Sequence, residues 1–426
     1  MQTALQDKLL KVLPFNFTVN VIDGAFFGLG MGLTSMVTVL PLFLSTLTDS
    51  TTLIGLISSI HLVGWQFPQL FMAKRVTAKP RYKPLVIWLT IQERMPFFFL
   101  ALVALLVPSI SPALGVLLVY LVYSWQSLGG GLTASPWQTM IGKIIPAQRH
   151  GLFYGVQAAG FSLFGAGGAL MAGWLIANVP YPYNFAMCFA LTGVMMTVSL
   201  VFLALTREPA HLPTVDTTAP TSMRAQAWAI LREDAPYRWF LVARALMHIA
   251  TMGSSFYTIY AVRRFALDAQ VIGAMTSVLL ITQTMVYPLF GWLGDRIGHR
   301  ATFILSVLMV IAANLIALTT SDPRLLYGVF ALAGAGTSGF YTCILAMTLT
   351  FGSLHQRPYY IGIGNTLMSP IVLSVPFLGG LLVDVFGFPA MFVMAIAAGL
   401  PTLAILIVNR RRTLTTEPFV PIAATD

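Results

Sequence analysis

The ten residues Gly291-Trp292-Leu293-Gly294-Asp295-Arg296-Ile297-Gly298-His299-Arg300 separate two long apolar runs, residues 270–292 and 301–320. Each run is long enough to cross a bilayer as a helix, which takes about 20 apolar residues. A connection of this length is too short to form a domain. The stretch therefore predicts a tight, charged turn at one face of a membrane.

The composition of the whole chain also indicates a membrane protein. Of the 426 residues, 57% are hydrophobic and 9% are charged, whereas soluble domains carry about 25% charged residues. The mean hydropathy is +0.81. The two cysteines, Cys188 and Cys343, lie inside apolar runs and indicate neither a disulfide framework nor a cysteine-based metal site.

No catalytic pattern emerges from the sequence. It contains no His/Cys/acid cluster at metal-ligand spacing, no nucleophile elbow and no phosphate loop of the G-x-x-x-x-G-K type. We therefore expect no enzymatic activity, no metal and no cofactor, and no transport driven by ATP hydrolysis.

Apolar runs predict twelve membrane spans. The first is longer than the core of a signal peptide, about 7–15 residues, so we expect it to be retained. Spans 1 to 12 are residues 17–44, 52–73, 85–107, 113–139, 152–177, 185–206, 238–261, 270–292, 301–320, 325–351, 361–385 and 388–409.

Alternate connections differ sharply in positive charge. Most of the 24 lysines and arginines fall in one set of segments, at residues 8–11, 74–83, 143–149, 207–238, 296–300, 357 and 410–412. The positive-inside rule makes this set cytoplasmic, so both termini are expected inside the cell membrane. The net charge of +10 thus favours membrane orientation over nucleic-acid binding.

The longest connection divides the spans six and six. We predict one half at residues 1–206, a linker at 207–237 and a second half at 238–426. The linker begins with a Pro- and Thr-rich stretch, and its later part, Ser222 to Asp234, could form an amphipathic helix on the membrane surface. Echoes between the halves, such as Phe67-Pro68 with Tyr287-Pro288, indicate a duplicated six-helix unit.

The pattern G-x-L-G-D-R-x-G-x-R at 291–300, together with the span count, inside termini, central linker and repeat, resembles the major facilitator superfamily, in particular prokaryotic multi-substrate and drug-efflux members. The resemblance implies an all-α integral membrane protein of twelve transmembrane helices in two pseudo-symmetric six-helix bundles. Spans 1, 4, 7 and 10 would be innermost, and 3, 6, 9 and 12 outermost. We expect a monomer whose partners are a small-molecule substrate, protons and the lipid bilayer.

Ionisable side chains inside spans are functional candidates, because they are unfavourable there unless they are paired or hydrated. In span 1, Asn16, Asn20 and Asp23 share one helical face. Asp23 could exchange a proton as its exposure alternates, or simply form a cap or an inter-helix hydrogen bond. In span 3, Glu93 and Arg94 suggest a charge network within the first half, the alternative being direct contact with the substrate, and Glu93 could be a second coupling group.

Span 7 carries a polar stripe of Arg244, His248, Thr251 and Ser255. Because spans 1 and 7 face each other in the family, we predict a contact between Asp23 and Arg244. Alternatively, Arg244 could bind an anionic substrate, since a planar guanidinium suits a carboxylate or phosphate. His248 could respond to pH or could only be hydrogen-bonded.

The remaining polar side chains on the expected inner helices are candidates for the substrate cavity. They are Asn20, His61, Gln126, Gln157, Gln283, Tyr341 and Asn365. Glycine stripes at Gly24, Gly28 and Gly32 and at Gly165, Ala169 and Gly173 predict close helix packing.

The predicted function is secondary transport by alternating access, with proton-coupled export of a small, partly apolar compound. The alternatives are uptake of a small organic anion through Arg244 and His248, and a sensor or assembly partner of the same fold that does not transport.

The resemblance also suggests a gating loop. In it, Asp295 docks at the N-terminus of span 5, near Gly151–Gly155, and Arg296 and Arg300 brace the contact. The alternative is a basic turn that only sets topology. The gating-loop residues are Gly291, Gly294, Asp295, Arg296, Gly298 and Arg300.

Overall fold

Helices form the framework of the protein. The computed structural model describes residues 2–36, 38–77, 79–210, 223–267, 269–353 and 356–408, and no strand occurs in these ranges. The Pro- and Thr-rich part of the predicted linker, 211–222, and the basic tail from residue 409 lie outside them. The helices are α1 (Gln2–Leu33), α2 (Val39–Ser45), α3 (Thr51–Gln66), α4 (Gln69–Thr77), α5 (Lys83–Arg94), α6 (Pro96–Leu106), α7 (Pro112–Ile144), α8 (His150–Asn178), α9 (Tyr183–Leu205), α10 (Met223–Glu233), α11 (Ala235–Ala250), α12 (Tyr257–Phe265), α13 (Ala269–Ile297), α14 (His299–Thr319), α15 (Leu325–Thr348) and α16 (Arg357–Val408).

Within the described residues, 9 helical stretches are long and apolar enough to span a membrane. The other predicted spans are interrupted or merged. Span 2 comprises α3 and α4, divided at Phe67-Pro68, and span 7 comprises α11 and α12, divided by a 3-10 turn at Thr251–Ser255. Spans 11 and 12 are the two parts of α16, which turn at Gly387 (φ 80°, ψ 171°), a conformation open essentially only to glycine. Helical structure therefore corresponds to each predicted span.

The boundaries of span 1 differ from the prediction. Helix α1 starts at Gln2 rather than near residue 17, and it ends at Leu33, before the short helix α2. Hydropathy detects only the apolar part of a helix, whereas the polar N-terminal residues are good helix formers that extend it. The expected amphipathic segment in the linker is helix α10, whose Ile230 is buried while its Trp228 is 69% exposed.

The helices pack as two halves that meet near one end. In the first half, α1 packs against α8 and α9, and α7 packs against α3 and α5. In the second half, α11 packs against α16, and α15 packs against α13 and α14. Helix α13 crosses to α8 and α16 crosses to α4, so these pairs form the interface between the halves.

A mixed hydrophobic cluster marks where the halves meet. It contains Met140, Ile144 and Tyr154 of the first half together with Leu349 and Ile361 of the second. These residues lie toward the end that carries the connections α4–α5, α7–α8 and α13–α14. We call this end the basic face.

Two glycines of the predicted stripes bring α1 and α8 into backbone contact. A side chain at Gly28 would overlap the carbonyl of Phe161, and one at Gly32 would overlap the carbonyl of Gly165. Small residues allow such approach between helices in a membrane. Gly173 differs, since a Cβ there would meet nothing within 4 Å, so the packing prediction is wrong at that position.

Candidate functional site

A buried charge cluster joins three helices of the first half. Arg94 Nη2, at the end of α5, lies 3.1 Å from Asp23 Oδ1 on α1. The same nitrogen donates to Ser199 Oγ on α9 at 2.8 Å, and the Ser199 hydroxyl donates to Asp23 Oδ1 at 2.5 Å. All three side chains are buried. Pairing and hydrogen bonding compensate the two charges inside the membrane.

The predicted contact between Asp23 and Arg244 is wrong. The Asp23 carboxylate is occupied by Arg94 and Ser199 of its own half. Adjacent helix residues point about 100° apart, so Arg94 faces α1 and α9 while Glu93 faces α7. A Cβ at Gly130 of α7 would lie 3.0 Å from Glu93 Oε1. The charge network within the first half is therefore present.

The asparagines of α1 tie that helix to the end of α9. Asn16 donates to Arg207 O at 2.9 Å, and its Oδ1 accepts from Arg207 N at 2.8 Å. Asn20 donates to Thr206 Oγ1 at 3.0 Å and is fully buried. Gln157 of α8 donates to Asn20 O at 3.2 Å. The structure thus places Asn20 between helices rather than on a cavity wall.

Another polar group lies between α3 and α7. His61 Nδ1 is 3.0 Å from the Tyr123 hydroxyl, and the two rings stack at a centroid distance of 5.8 Å. Gln126 is fully buried, and its Nε2 has no hydrogen-bond partner.

Arg244 is the first residue of the polar stripe, of which Arg244 and His248 lie on α11 and Thr251 and Ser255 in the 3-10 turn that follows. Its Nη2 donates to Asn365 Oδ1 of α16 at 2.7 Å. Among the described residues no carboxylate lies within ion-pair distance of Arg244, and neither its Nε nor His248 Nε2 has a hydrogen-bond partner. Tyr341 of α15 lies next to His248, with ring centroids 6.4 Å apart, and is 43% exposed. Gln283 of α13 is half-buried and takes part in none of these hydrogen bonds.

The gating loop makes the expected contact with α8. Asp295 Oδ1 accepts from Gly151 N at 2.8 Å, and Oδ2 accepts from Leu152 N at 2.7 Å. These amides belong to the first turn of α8, where unpaired N–H groups and the helix dipole stabilise an anion. A side chain at Gly291 would overlap the Gly151 backbone. Gly298 takes φ 95°, which favours glycine.

The predicted bracing by Arg296 and Arg300 is wrong. Arg296 lies over the Trp292 ring at 4.4 Å, and Arg300 donates to the Leu406 and Ile407 carbonyls of its own half. His299 instead reaches the carboxylate, with Nε2 3.2 Å from Asp295 Oδ1. Asp295 and His299 are four residues apart, but Gly298, with φ 95°, separates α13 from α14 between them, so the spacing alone did not indicate this pair.

Sequence reasoning missed Gln69 and Thr366, and it did not indicate that Arg357 and Asn365 connect the halves near the basic face. Arg357 Nη1 donates to Gly142 O at the end of α7 at 2.7 Å. Asn365 Nδ2 donates to Gln69 Oε1 of α4 at 2.6 Å, and Thr366 Oγ1 donates to Phe67 O at 3.1 Å. With the Asp295 contact, these hydrogen bonds form what we call the floor.

Glu208 was also missed, although it anchors the start of the linker. Its carboxylate accepts from the backbone of Tyr82 and Lys83 at 2.9 and 2.7 Å, and from Lys143 Nζ at 2.7 Å. An acid in loop sequence gives no indication of which distant helix end it will cap.

The sequence profile of the Major Facilitator Superfamily matches residues 24–268 and 250–421. Multidrug resistance protein D of Escherichia coli strain K12 is 29% identical over 165 residues, which are 36% of this chain and 41% of that protein. The match thus spans about two fifths of that relative's length.

Solved structures share the fold at low sequence identity. A Major Facilitator Superfamily transporter, FucP, in the outward conformation superposes with a TM-score of 0.74 at 15% identity, over 92% of this chain and 97% of that one. The human organic anion transporter MFSD10 (TETRAN) and a bacterial homologue of the iron transporter ferroportin, outward-facing, each give 0.72 at 14% identity, over 92% and 98% of the respective chains. Identities this low indicate the fold alone.

Proposed function

Because this chain belongs to the major facilitator superfamily and is a membrane transporter, we propose that it is a secondary active transporter that exports a small molecule by alternating access, coupled to protons. The observation that carries the proposal is the buried Asp23–Arg94–Ser199 cluster. The drug-resistance name of the Escherichia coli relative supports export of a partly apolar compound.

In this proposal Asp23 is the proton-coupling group. Proton uptake neutralises its carboxylate and removes the ion pair with Arg94. The contact of α1 and α9 with α5 is weakened as a result. Release of the proton restores the pair. Since a buried ion is stable only with its partner, the protonation state selects between two arrangements of these helices. Glu93, on the adjacent face of α5, is a second exchange site.

We propose that the basic face is cytoplasmic, with both termini inside the cell membrane, and that the chain works as a monomer. The proposed units are 1–206, the linker 207–237 and 238–426. The floor then closes the cytoplasmic side, as expected of an outward-facing state. The floor opens when one half rocks against the other around a central site.

The test is transport by purified protein in liposomes with an imposed pH gradient. Adding a panel of hydrophobic drugs should produce proton flux. Asp23→Asn should abolish gradient-driven transport while leaving substrate counterflow, because exchange needs no net proton movement. Asp384→Asn, at an exposed acid of α16, is the matched control and should behave as the wild type. If Asp23→Asn leaves gradient-driven transport unchanged, Asp23 is not the coupling group. If no compound of the panel produces proton flux, the alternative of a sensor that does not transport is favoured.

A second candidate function is uptake of a small organic anion, supported by the buried Arg244 without a carboxylate partner. The fold neighbour described as a human organic anion transporter is consistent with this function. Arg244→Lys keeps the charge but loses the planar fork. It should weaken the uptake of organic anions about tenfold or more, since a hydrogen bond to a charged group contributes about 1.5–3 kcal/mol. Equal weakening for neutral or cationic compounds would argue against the assignment.

A further inference from the structure

Arg244 lies in an unusual electrostatic setting for a membrane-embedded arginine. It is 8% exposed, and its one side-chain hydrogen-bond partner that the structure shows is the neutral amide of Asn365. Its Nε has no partner. A buried cation without a counter-charge is strongly unfavourable, so the site is suited to a group that supplies the missing negative charge.

The groups around Arg244 are donors rather than acids. His248 follows one turn later on α11 and leaves Nε2 without a partner. The exposed Tyr341 ring lies beside His248. The nearby Tyr237 hydroxyl is already used, since it donates to Tyr360 O at 2.5 Å. An arginine fork with adjacent neutral donors and an aromatic wall is suited to a carboxylate on an apolar body.

The same arginine is linked to the other half of the protein through one amide. Asn365 accepts from Arg244 at Oδ1 and donates through Nδ2 to Gln69 Oε1 on α4. Gln69 is 1% exposed and is itself held by a bond from its Nε2 to Trp65 O at 2.9 Å. The guanidinium thereby fixes which end of the Asn365 amide faces Gln69. A continuous chain of hydrogen bonds runs from Arg244 to the floor.

We propose that Arg244 binds a carboxylate group of the cargo, and that this carboxylate displaces Asn365 from the guanidinium. Asn365 then loses the contact that orients its amide, and its bond to Gln69 across the floor weakens. Cargo binding and floor opening are therefore coupled, and the coupling is reciprocal. This inference rests on the proposed alternating-access cycle, but it depends neither on Asp23 nor on the direction of transport.

The probes are two aromatic carboxylates, benzoate and 1-naphthoate, with benzamide and 1-naphthamide as neutral controls of similar shape. Binding is measured by calorimetry on the purified full chain in detergent. Floor opening is measured by double electron–electron resonance between spin labels at Arg81→Cys and Ile297→Cys, exposed positions near the basic face on opposite halves. The two native cysteines are buried.

The carboxylates should bind the wild type and lengthen the distance between labels 81 and 297, and the amides should do neither. Arg244→Gln should weaken carboxylate binding at least about tenfold and remove the distance change. Asn365→Ala should have the opposite effect on affinity. It removes the internal competitor, so carboxylates should bind about three- to tenfold more tightly, and the distance without ligand should be longer.

Tighter binding by Asn365→Ala is the decisive result, because a residue with a merely structural role would not improve affinity when it is lost. The proposal is overturned if neither carboxylate binds the wild type, if Arg244→Gln binds as well as the wild type, or if Asn365→Ala binds more weakly. None of these measurements uses a proton gradient. Failure here with Asp23-dependent transport intact rejects only the carboxylate site, and the reverse result rejects only proton coupling.

Discussion

At the scale of single residues, Arg94 decides how charge is arranged inside the first half. It ends α5, immediately before Met95-Pro96, where the proline cannot donate a backbone hydrogen bond and a new helix, α6, begins. From that position its guanidinium reaches both Asp23 and Ser199. The pair with Asp23 is almost fully removed from water, with side chains 5% and 7% exposed. Each partner is therefore the main compensation for the burial of the other.

Removing one partner should destabilise the protein more than removing both. Arg94→Gln leaves the Asp23 carboxylate uncompensated and should lower stability by about 3–5 kcal/mol. The double variant Asp23→Asn/Arg94→Gln should recover a large part of this loss, because two neutral amides remain. Thermal unfolding of the purified proteins in detergent, analysed as a double-mutant cycle, provides the measurement. Additive losses from the single variants would show that the pair is not coupled.

At the scale of helices, close packing depends on glycines that meet backbone rather than side chains. Gly28 of α1 faces the carbonyl of Phe161, and the backbone of α8 cannot turn aside as a flexible side chain can. Gly173 belongs to the predicted stripe on α8 but faces open space. The two positions therefore form a matched pair.

Gly28→Ala should lower the unfolding free energy by about 1–3 kcal/mol, because the added methyl group forces α1 and α8 apart. Gly173→Ala should change it by less than about 0.5 kcal/mol. Thermal unfolding monitored by intrinsic fluorescence compares the two. Equal effects at both positions would mean that helix propensity, and not packing, determines the result.

The docking of Asp295 on α8 is also an interaction between elements. Each of its two carboxylate oxygens accepts a hydrogen bond from a backbone N–H. An asparagine at this position has one oxygen that can accept, and it lacks the negative charge that interacts with the helix dipole. Asp295→Asn should shift the protein toward inward-facing conformations by about tenfold in population, the change expected from losing one hydrogen bond to a charged group.

Cysteine accessibility from the basic face measures this shift, with a reporter cysteine at Gln138, a residue of α7 that donates to Leu345 O across the floor at 3.3 Å. Asp322→Asn, at an exposed acid between α14 and α15, is the control and should leave accessibility unchanged. An Asp295→Asn protein as protected as the control would leave the loop with a purely topological role.

At the scale of the whole molecule, two charged side chains of the second half bind opposite ends of two consecutive helices of the first half. The cation Arg357 meets Gly142 O at the carboxyl end of α7, and the anion Asp295 meets the amides at the start of α8. Both signs are favourable for the helix dipoles they approach. The halves are thus held together near the basic face by polar contacts that can be broken and remade, in addition to apolar packing.

Because these two contacts share no side chain, their effects on floor opening should add. Arg357→Gln and Asp295→Asn should each increase the population with a long distance between labels 81 and 297. The double variant should show the sum of the two free-energy changes within about 0.5 kcal/mol. Double electron–electron resonance measures the populations. A double variant no more open than either single one would indicate a single cooperative contact.

The sequence by itself determined the fold and the loop that belongs to it. Apolar length predicts spans, alternation of charge predicts orientation, and both depend on the bilayer rather than on distant contacts. The docking of Asp295 near Gly151 was expected from the family resemblance at 291–300, and the structure shows that contact. Interrupted spans, such as α11 and α12 around Thr251–Ser255, did not disturb this inference, since hydropathy persists through a local break.

Only the tertiary structure decided which polar groups meet. Helical spacing places Asp23, Arg94 and Arg244 on faces of their own helices, but it says nothing about which helices lie alongside, so the predicted Asp23–Arg244 contact was wrong. Gln69, Ser199 and His299 gained their partners through the packing of helices far apart in the chain or through local turn geometry. The physical reason is that burial in a bilayer is a property of each segment, whereas a hydrogen bond requires two specific atoms within about 3 Å, and that distance depends on the whole arrangement of helices.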